Sequence, residues 1–334
     1  MPEEITIALT GTTGHLATAV LPLLTGKGYK VKALVHKQMP VSEDPRLNLI
    51  KGSLTDAHSL DLLVEGCQVV IHCAARISLY SDKDPHVYET NFKGTINLFD
   101  AAKRDGVRKF IHVSSIHAYD QNTRDECLTE ESRYCQDHAP GYDRSKRDAQ
   151  VYVLQSSPDP MEVVVLNPTA VIGPFDAKPS LLGKAVMDIY SGRIPALIRG
   201  GFDFCDVRDV AAAIVTAIRQ GRDRQAYLLG GKWYSLDDLQ RIIMNMKGSR
   251  WRMPVLPIWA AYLGLPFTRL LALINRQEPF YTRESIQALA NGHKKISSDK
   301  AARELEYNPR PLDETIQDTI QWFQNAGYLN KSRP

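Results

Sequence analysis

Cysteine is scarce: there are five in 334 residues, an odd number. Cys67, Cys73, Cys127, Cys135 and Cys205 form no CxxC pair, which argues against a zinc ribbon and a disulfide framework. An excess of charge is missing too. Lys and Arg number 41 against 38 Asp and Glu, a net +3 without a basic run, so nucleic acid is not an expected partner. Nor does any apolar stretch reach the ~20 residues of a membrane span. The longest uncharged apolar run, residues 254–267, has 14 residues and carries three prolines. It reads as a buried helix or a pocket lid, with shallow membrane contact as the alternative and no stable insertion. Met1-Pro2-Glu3-Glu4 passes directly into β-branched sequence, with no basic and then apolar leader, so a reduced, cytoplasmic setting is expected. His112, His117 and His138 lack metal-ligand spacing and read as ordinary polar residues.

What the chain does have, in its first half, is alternation. Short β-branched runs at 5–10, 29–35, 47–51, 68–74, 109–115 and 161–166 are separated by helical patterns at 15–27, 58–65, 87–104 and 143–155. The strands are continuously apolar, as in Val69-Val70-Ile71, which predicts burial on both faces and hence a parallel, doubly wound α/β sheet. Pro22 falls inside the first helical pattern and predicts a kink or a shorter helix. Beyond Gly173-Pro174 the alternation fails. A helix at 209–219 and a return strand at 226–229 follow, and the remainder reads as mostly helical segments with turns.

Thr10-Gly11-Thr12-Thr13-Gly14-His15-Leu16-Ala17 joins the first strand to the first helix as GxxGxxA. Gly11 permits a tight turn, Gly14 lets a pyrophosphate approach the backbone, and Ala17 allows close helix–strand packing. The free N–H groups and positive end of the helix then face the phosphates. A strand–turn–helix context makes this a dinucleotide site rather than a plain turn. The second strand ends at Val35-His36-Lys37, with no acid before Glu43. A carboxylate there would hold a ribose hydroxyl and repel a 2′-phosphate; His36 and Lys37 favour NADP(H), with NAD(H) as the alternative.

Tyr142 and Lys146 are four residues apart on one helical face. Free tyrosine titrates near pH 10. An ammonium ~5 Å away is worth roughly 3 kcal/mol and is expected to lower it, so that Tyr142 exchanges a proton with a carbonyl or alcohol substrate. Ser114-Ser115 closes a strand at the carboxyl edge of the sheet, where ligands bind. A structural cap is the competing reading for Ser115.

These blocks, with Gly52-Ser53-Leu54-Thr55-Asp56, His72-Cys73-Ala74-Ala75, Asn91-Phe92-Lys93-Gly94 and Asn167-Pro168-Thr169-Ala170-Val171-Ile172-Gly173-Pro174, resemble the extended short-chain dehydrogenase/reductase superfamily. The resemblance is densest over about 5–175 and is greatest to dihydroflavonol 4-reductase-like and 3β-hydroxysteroid dehydrogenase-like proteins. It implies a Rossmann-type domain over 1–174 and about 206–230. A smaller, mostly helical C-terminal substrate domain is implied over about 175–205 and 231–334, interleaved with the first. It implies Ser115, Tyr142 and Lys146 as the catalytic set. Its cofactor contacts are Gly11, Thr13, Gly14, His15, Leu16, Leu54, Ala74, Ala75, Pro168, Thr169 and Val171, besides Tyr142 and Lys146. Ser53 stands where the family usually has an acid facing the adenine. The 87–104 and 143–155 helices resemble those of a family homodimer interface. An NADP-dependent reductase of a ketone or aldehyde is the expected function. A nucleotide-sugar epimerase or dehydratase with bound NAD, and a non-catalytic NADP-binding regulator, are the alternatives. Epimerases typically carry an Arg just before the segment equivalent to 204–211. Here Phe202-Asp203-Phe204 follows Gly200-Gly201, and Arg199 lies nearby. Phe175, Phe202, Phe204 and residues 259–262 are candidate pocket aromatics.

Overall fold

The computed structural model describes residues 5–36, 44–78, 81–122, 126–156, 159–265 and 282–329. The strands in chain order are β1 (Thr6–Thr10), β2 (Lys30–Val35), β3 (Leu47–Lys51), β4 (Val69–His72), β5 (Lys109–Val113), β6 (Glu162–Pro168), β7 (Ala170–Ile172), β8 (Leu197–Ile198), β9 (Gly201–Asp206), β10 (Gln225–Leu229), β11 (Lys232–Ser235) and β12 (Val255–Leu256). Seven of them form one parallel sheet in the order β3-β2-β1-β4-β5-β6-β10. The helices are α1 (His15–Gly26), α2 (Ala57–Val64), α3 (Pro85–Tyr88), α4 (Gly94–Arg104), α5 (Gly141–Gln155), α6 (Leu181–Ser191), α7 (Val207–Gln220), α8 (Leu236–Met246), α9 (Arg283–Asn291), α10 (Asp299–Leu305) and α11 (Leu312–Asn325).

Successive strand residues serve different cores, which explains the unbroken apolar runs. Ile7, Leu9, Ile111, Val164 and Leu166 face a core shared with Val20 and Leu24 of α1 and Val210 and Ile214 of α7. Ala8, Phe110, Val163 and Val165 face the opposite core, with Leu60 and Leu63 of α2, Leu98 and Phe99 of α4 and Val153 of α5.

α1 runs through Pro22 to Gly26, with Val20, Leu21 and Leu24 buried around it. Two sequence expectations are corrected. The single helix expected at 87–104 is instead α3, a π turn at Glu89–Lys93, and α4. The remainder expected to be mostly helical also carries strands: β9 lies between β7 and antiparallel β11, and β8 pairs with β12. Ile172, Val186, Leu239, Ile243, Ile286, Ile316 and Phe323 fill a separate core beneath these small sheets.

A charge cluster ties α11 and the region before it to β9 and α7. Asp206 caps α7 by accepting the Arg208 N–H at 2.8 Å, and Arg208 also pairs with Asp318 of α11 at 2.6 Å. Arg310 donates its backbone N–H and guanidinium to Asp209 at 2.7 to 3.1 Å and approaches Asp206 at 3.7 Å. Burial raises the Asp206 carboxyl, but hydrogen bonds from Arg208 outweigh it and hold it below the ordinary 3.8. Its stabilisation is therefore complete above about pH 4 and is lost as pH falls through the lowered value. Arg208→Ala leaves Asp206 short of its partner and should cost about 3 kcal/mol in urea unfolding at pH 7. The gap between variant and wild type should shrink on acidification; a pH-independent gap would show that charge is not its origin.

Candidate active site

β1 and β4 lie side by side, yet the chain leaves them in opposite directions across the sheet, which opens a crevice at their carboxyl ends. Gly11 turns there with φ +78°. A Cβ on it would sit 2.7 Å from the Ala74 nitrogen, so only glycine lets the two backbones approach this closely. Gly14 precedes α1 in extended conformation and donates to the Gly11 carbonyl at 2.8 Å. The Thr12 hydroxyl donates to Leu34 O at 2.9 Å, which anchors the turn to β2 two residues before the exposed His36. Lys37 lies outside the described residues. Leu16 packs against the main core.

A second segment crosses this turn. His15 Nε2 lies 2.9 Å from Pro174 O, and Lys178 Nζ lies 3.2 Å from the Thr13 hydroxyl. Phe175, between them, is held at φ 71° with its ring partly exposed. Lys178 belongs to no sequence motif; only the fold brings it to the glycine turn.

Below the turn a hydrogen-bond chain has a fixed direction. The Thr95 hydroxyl gives its one proton to Asn91 O at 2.6 Å, so at 2.9 Å it accepts from His72 Nε2–H. His72 Nδ1 is then the acceptor for the Thr10 hydroxyl at 2.7 Å, and Thr10 in turn accepts the Ala74 N–H at 3.3 Å. Burial, helped by Lys146, pushes His72 down to about 3, so it stays neutral. Asn91 sits in the π turn, a feature common at functional sites. Its side chain bonds the Arg76 backbone at both ends, at 2.7 and 3.0 Å, and donates to Ser145 at 3.1 Å. The block around Asn91 was visible in the sequence, but the inward turn that gives it partners was not.

β5 delivers Ser114 and Ser115 to the same edge. The Ser115 hydroxyl accepts the His117 N–H at 3.2 Å, capping a short 3₁₀ turn, and is also hydrogen-bonded to Tyr142. The cap reading of Ser115 holds. Asn167 holds Ser115 O at 2.9 Å. Lys146, buried on α5, donates to Val113 O at 2.9 Å. Burial pushes Lys146 down to about 8, opposed by Cys73. Burial likewise pushes Tyr142 up to about 12, with only the Ser115 hydroxyl lowering it. The lowered tyrosine expected from its lysine neighbour is thus corrected: desolvation dominates, and Lys146 aims its ammonium at the end of β5. His117, expected to be an ordinary polar residue, presents its ring edge to Tyr142 at 5.6 Å and lies 3.0 Å from Asp143. Burial lowers His117, but Asp143 outweighs it, for a net rise.

The other expected cofactor contacts line this edge. Leu54 is buried and its carbonyl accepts from Asn97 at 2.9 Å; the Ser53 hydroxyl lies 3.0 Å from that of Thr55. Ala75 is exposed beside Ala74. Pro168 ends β6, Thr169 follows it, and Val171 pairs with Cys205. Among the described residues no group of His, Cys, Asp and Glu is placed to hold a metal.

The model of the NAD dependent epimerase/dehydratase family matches residues 7–230. The chain belongs to this family. "Sterol demethylase protein B" of Methylococcus capsulatus is 29% identical over 333 residues, covering 97% of this chain and 100% of that protein. "Putative dihydroflavonol 4-reductase" of Synechocystis is 27% identical over 332 residues, covering 96% and 95%. The crystal structure of gox2253 superimposes with a TM-score of 0.82 at 30% identity, covering 98% of this chain and 100% of that one. The protein is an NAD(P)-dependent oxidoreductase of the extended short-chain type. A nicotinamide dinucleotide fits the site: the Gly11–Ala74 approach, the start of α1 and Lys178 form a cradle for a diphosphate.

Lys146 yields a signed test. Between about pH 8 and 10.5 the unfolded chain holds the lysine proton and the folded chain does not, so stability rises with pH there. Lys146→Met should lack that rise when unfolding is followed across the window. Parallel pH profiles for the two proteins would refute the buried, lowered lysine.

Proposed function

We propose that this enzyme reduces a ketone or aldehyde, carried on an apolar molecule, with NADP(H). The observation that carries the reading is the meeting of Ser115, Tyr142 and Lys146 at the end of β5, facing the glycine turn. A nicotinamide held there by Lys146 and the glycine turn would supply the hydride. Tyr142 gives its hydroxyl proton to the substrate oxygen, which Ser115 orients. Lys146, free to leave Val113 O, steadies the tyrosinate and the nicotinamide ribose. Gly11, Thr13, Gly14, His15 and Lys178 hold the diphosphate; Ser53, Leu54, Ala74 and Ala75 flank the adenosine; Pro168, Thr169 and Val171 back the nicotinamide.

The NADP preference rests on the chemistry at the end of β2, where His36 is exposed and no carboxylate occurs before Glu43. The apolar substrate class rests on Phe202, which stands near the position of the epimerase diphosphate Arg and packs on Phe204 at 6.0 Å. Arg199 instead lines a cavity of about 340 Å³ with Gly200, Ser235, Asp237 and Val255, none of them in the catalytic set. The name of the sterol-related relative agrees with such a substrate.

Tyr142→Phe should keep the fold and the tighter binding of NADPH over NADH, roughly tenfold or more by fluorescence titration. Its turnover should fall ~10²–10⁴-fold. In the wild type one NADPH should disappear per alcohol formed. Conversion of a nucleotide sugar without net loss of absorbance would mean an epimerase on the same residues. Near-normal turnover in the variant would remove the acid role of Tyr142.

The exposed ring of Tyr88 and the half-buried rings of Phe92 and Tyr152 form a cluster on α3, the π turn and α5, with centroids 5.0 and 6.4 Å apart. This supports a homodimer through α4 and α5 about a two-fold axis. Light scattering at micromolar concentration should return twice the chain mass; the mass of one chain at every concentration would dismiss the pairing.

A further inference from the structure

Large exposed apolar side chains gather in one short stretch. Trp251, Leu256, Trp259, Tyr262 and Leu263 fall within 13 residues, and Trp259 and Leu263 are 67% and 68% exposed. Scattered exposed apolar residues are ordinary, but a concentrated group marks a contact surface. Trp259, expected to line a pocket, therefore points outward. The stretch is firmly mounted. Met253 is buried and exchanges hydrogen bonds with Gln240 at 3.0 and 3.2 Å, and β12 is zipped to β8 through Leu197 N–H to Pro254 O at 2.9 Å. After Pro257 the chain turns into a helix whose two sides differ. Ile258, Ala261 and Leu265 pack on the second core, while Trp259, Tyr262 and Leu263 face solvent.

The charge on this stretch has one sign. Residues 247–265 contain Lys247, Arg250 and Arg252 and no acid. In the sequence the next charges are Arg269 and Arg276, and the first acid is Glu278. Residues 247–265 thus carry +3, as much as the whole chain's net charge, and the rest of the protein is balanced. Arg250 and Arg252 are exposed, and among the described residues neither pairs with a carboxylate.

We propose that this face docks the enzyme onto an anionic lipid surface. Trp259, Tyr262 and Leu263 enter the headgroup layer, Trp251 lies at its boundary, and Arg250 and Arg252 meet lipid phosphates. Aromatic side chains with a polar edge favour that layer, and arginines near an anionic leaflet add electrostatic attraction. The enzyme lies on the bilayer without crossing it, since no described helix is long and apolar enough to span. A stretch with exposed tryptophans, two exposed arginines and no acid of its own matches a continuous negative lipid surface better than a folded protein partner. Docking stands independently of the reduction chemistry.

The test is flotation of the full-length protein with phosphatidylcholine vesicles, with and without about 30 mol% phosphatidylglycerol. Two double variants are compared with the wild type: Trp259→Glu with Leu263→Glu, and Arg250→Ala with Arg252→Ala. Both change exposed positions, and circular dichroism and the thermal midpoint check that the fold survives. The wild type should float with the anionic vesicles and be released by about 0.5 M salt. Each double variant should bind at least about tenfold more weakly. A wild type that stays behind with anionic vesicles, or variants that float as well as it does, would overturn the proposal. So would a Trp259→Glu, Leu263→Glu protein that changes from dimer to monomer in light scattering while no form binds vesicles, because the face would then join two copies.

Discussion

The arrangement of the site depends on one close approach, the backbone of Gly11 against the backbone of residues 73 and 74. Bringing two main chains this close at the top of adjacent parallel strands leaves no room for a side chain. It points the start of α1 into the crevice. The same pair of strands places Thr10 opposite His72, and His72 opposite His112, so β1, β4 and β5 end level. A level edge lets Ser115 from β5 and Tyr142 from α5 reach the region the glycine turn faces. The Thr10–His72–Thr95–Asn91 chain then transmits the position of the turn to the π turn, and through Ser145 to the residues around Tyr142.

Low polarizability of the surroundings is the second constraint. His72, Lys146 and Tyr142 are all displaced toward their neutral forms, to about 3, 8 and 12. Burial disfavours charge whatever its sign. Burial thus holds His72 and Tyr142 neutral at pH 7 and narrows the range over which Lys146 keeps its proton. A charged ring brought into it meets little screening and acts on Tyr142 far more strongly than it would in water.

Much of this was legible in the sequence. Continuous apolar strands and the glycine turn identify the parallel sheet, because each rests on local rules: burial on both faces for the former, backbone freedom for the latter. Tyr142 and Lys146 were visible from helical spacing. What spacing did not reveal is where each side chain spends its polar atoms. The lysine turns to Val113 O rather than to the tyrosine, and burial reverses the expected direction for Tyr142. Lys178 and His117 reach the site from distant or irregular segments and carry no periodic signal. The π turn was hidden because its pattern differs from an α-helix by a single extra residue per turn. The small sheets of β7–β9–β11 and β8–β12 were missed because, unlike β1, β3 and β4, their strands do not alternate regularly with helical patterns.

The main core beside α1 and α7 also includes Ala301, Leu305 and Tyr307, all nearly inaccessible to solvent. Those side chains come from α10 and the residues just after it, more than 70 positions beyond β10. During synthesis on the ribosome the sheet is complete once β10 emerges, yet one flank of it stays bare until residue 307 follows. At ~5–20 residues per second that interval lasts several seconds or longer. Over that time an apolar surface of the nascent chain faces the cell, and the last tenth of the protein acts as the cover that ends its exposure to chaperones and to neighbouring chains.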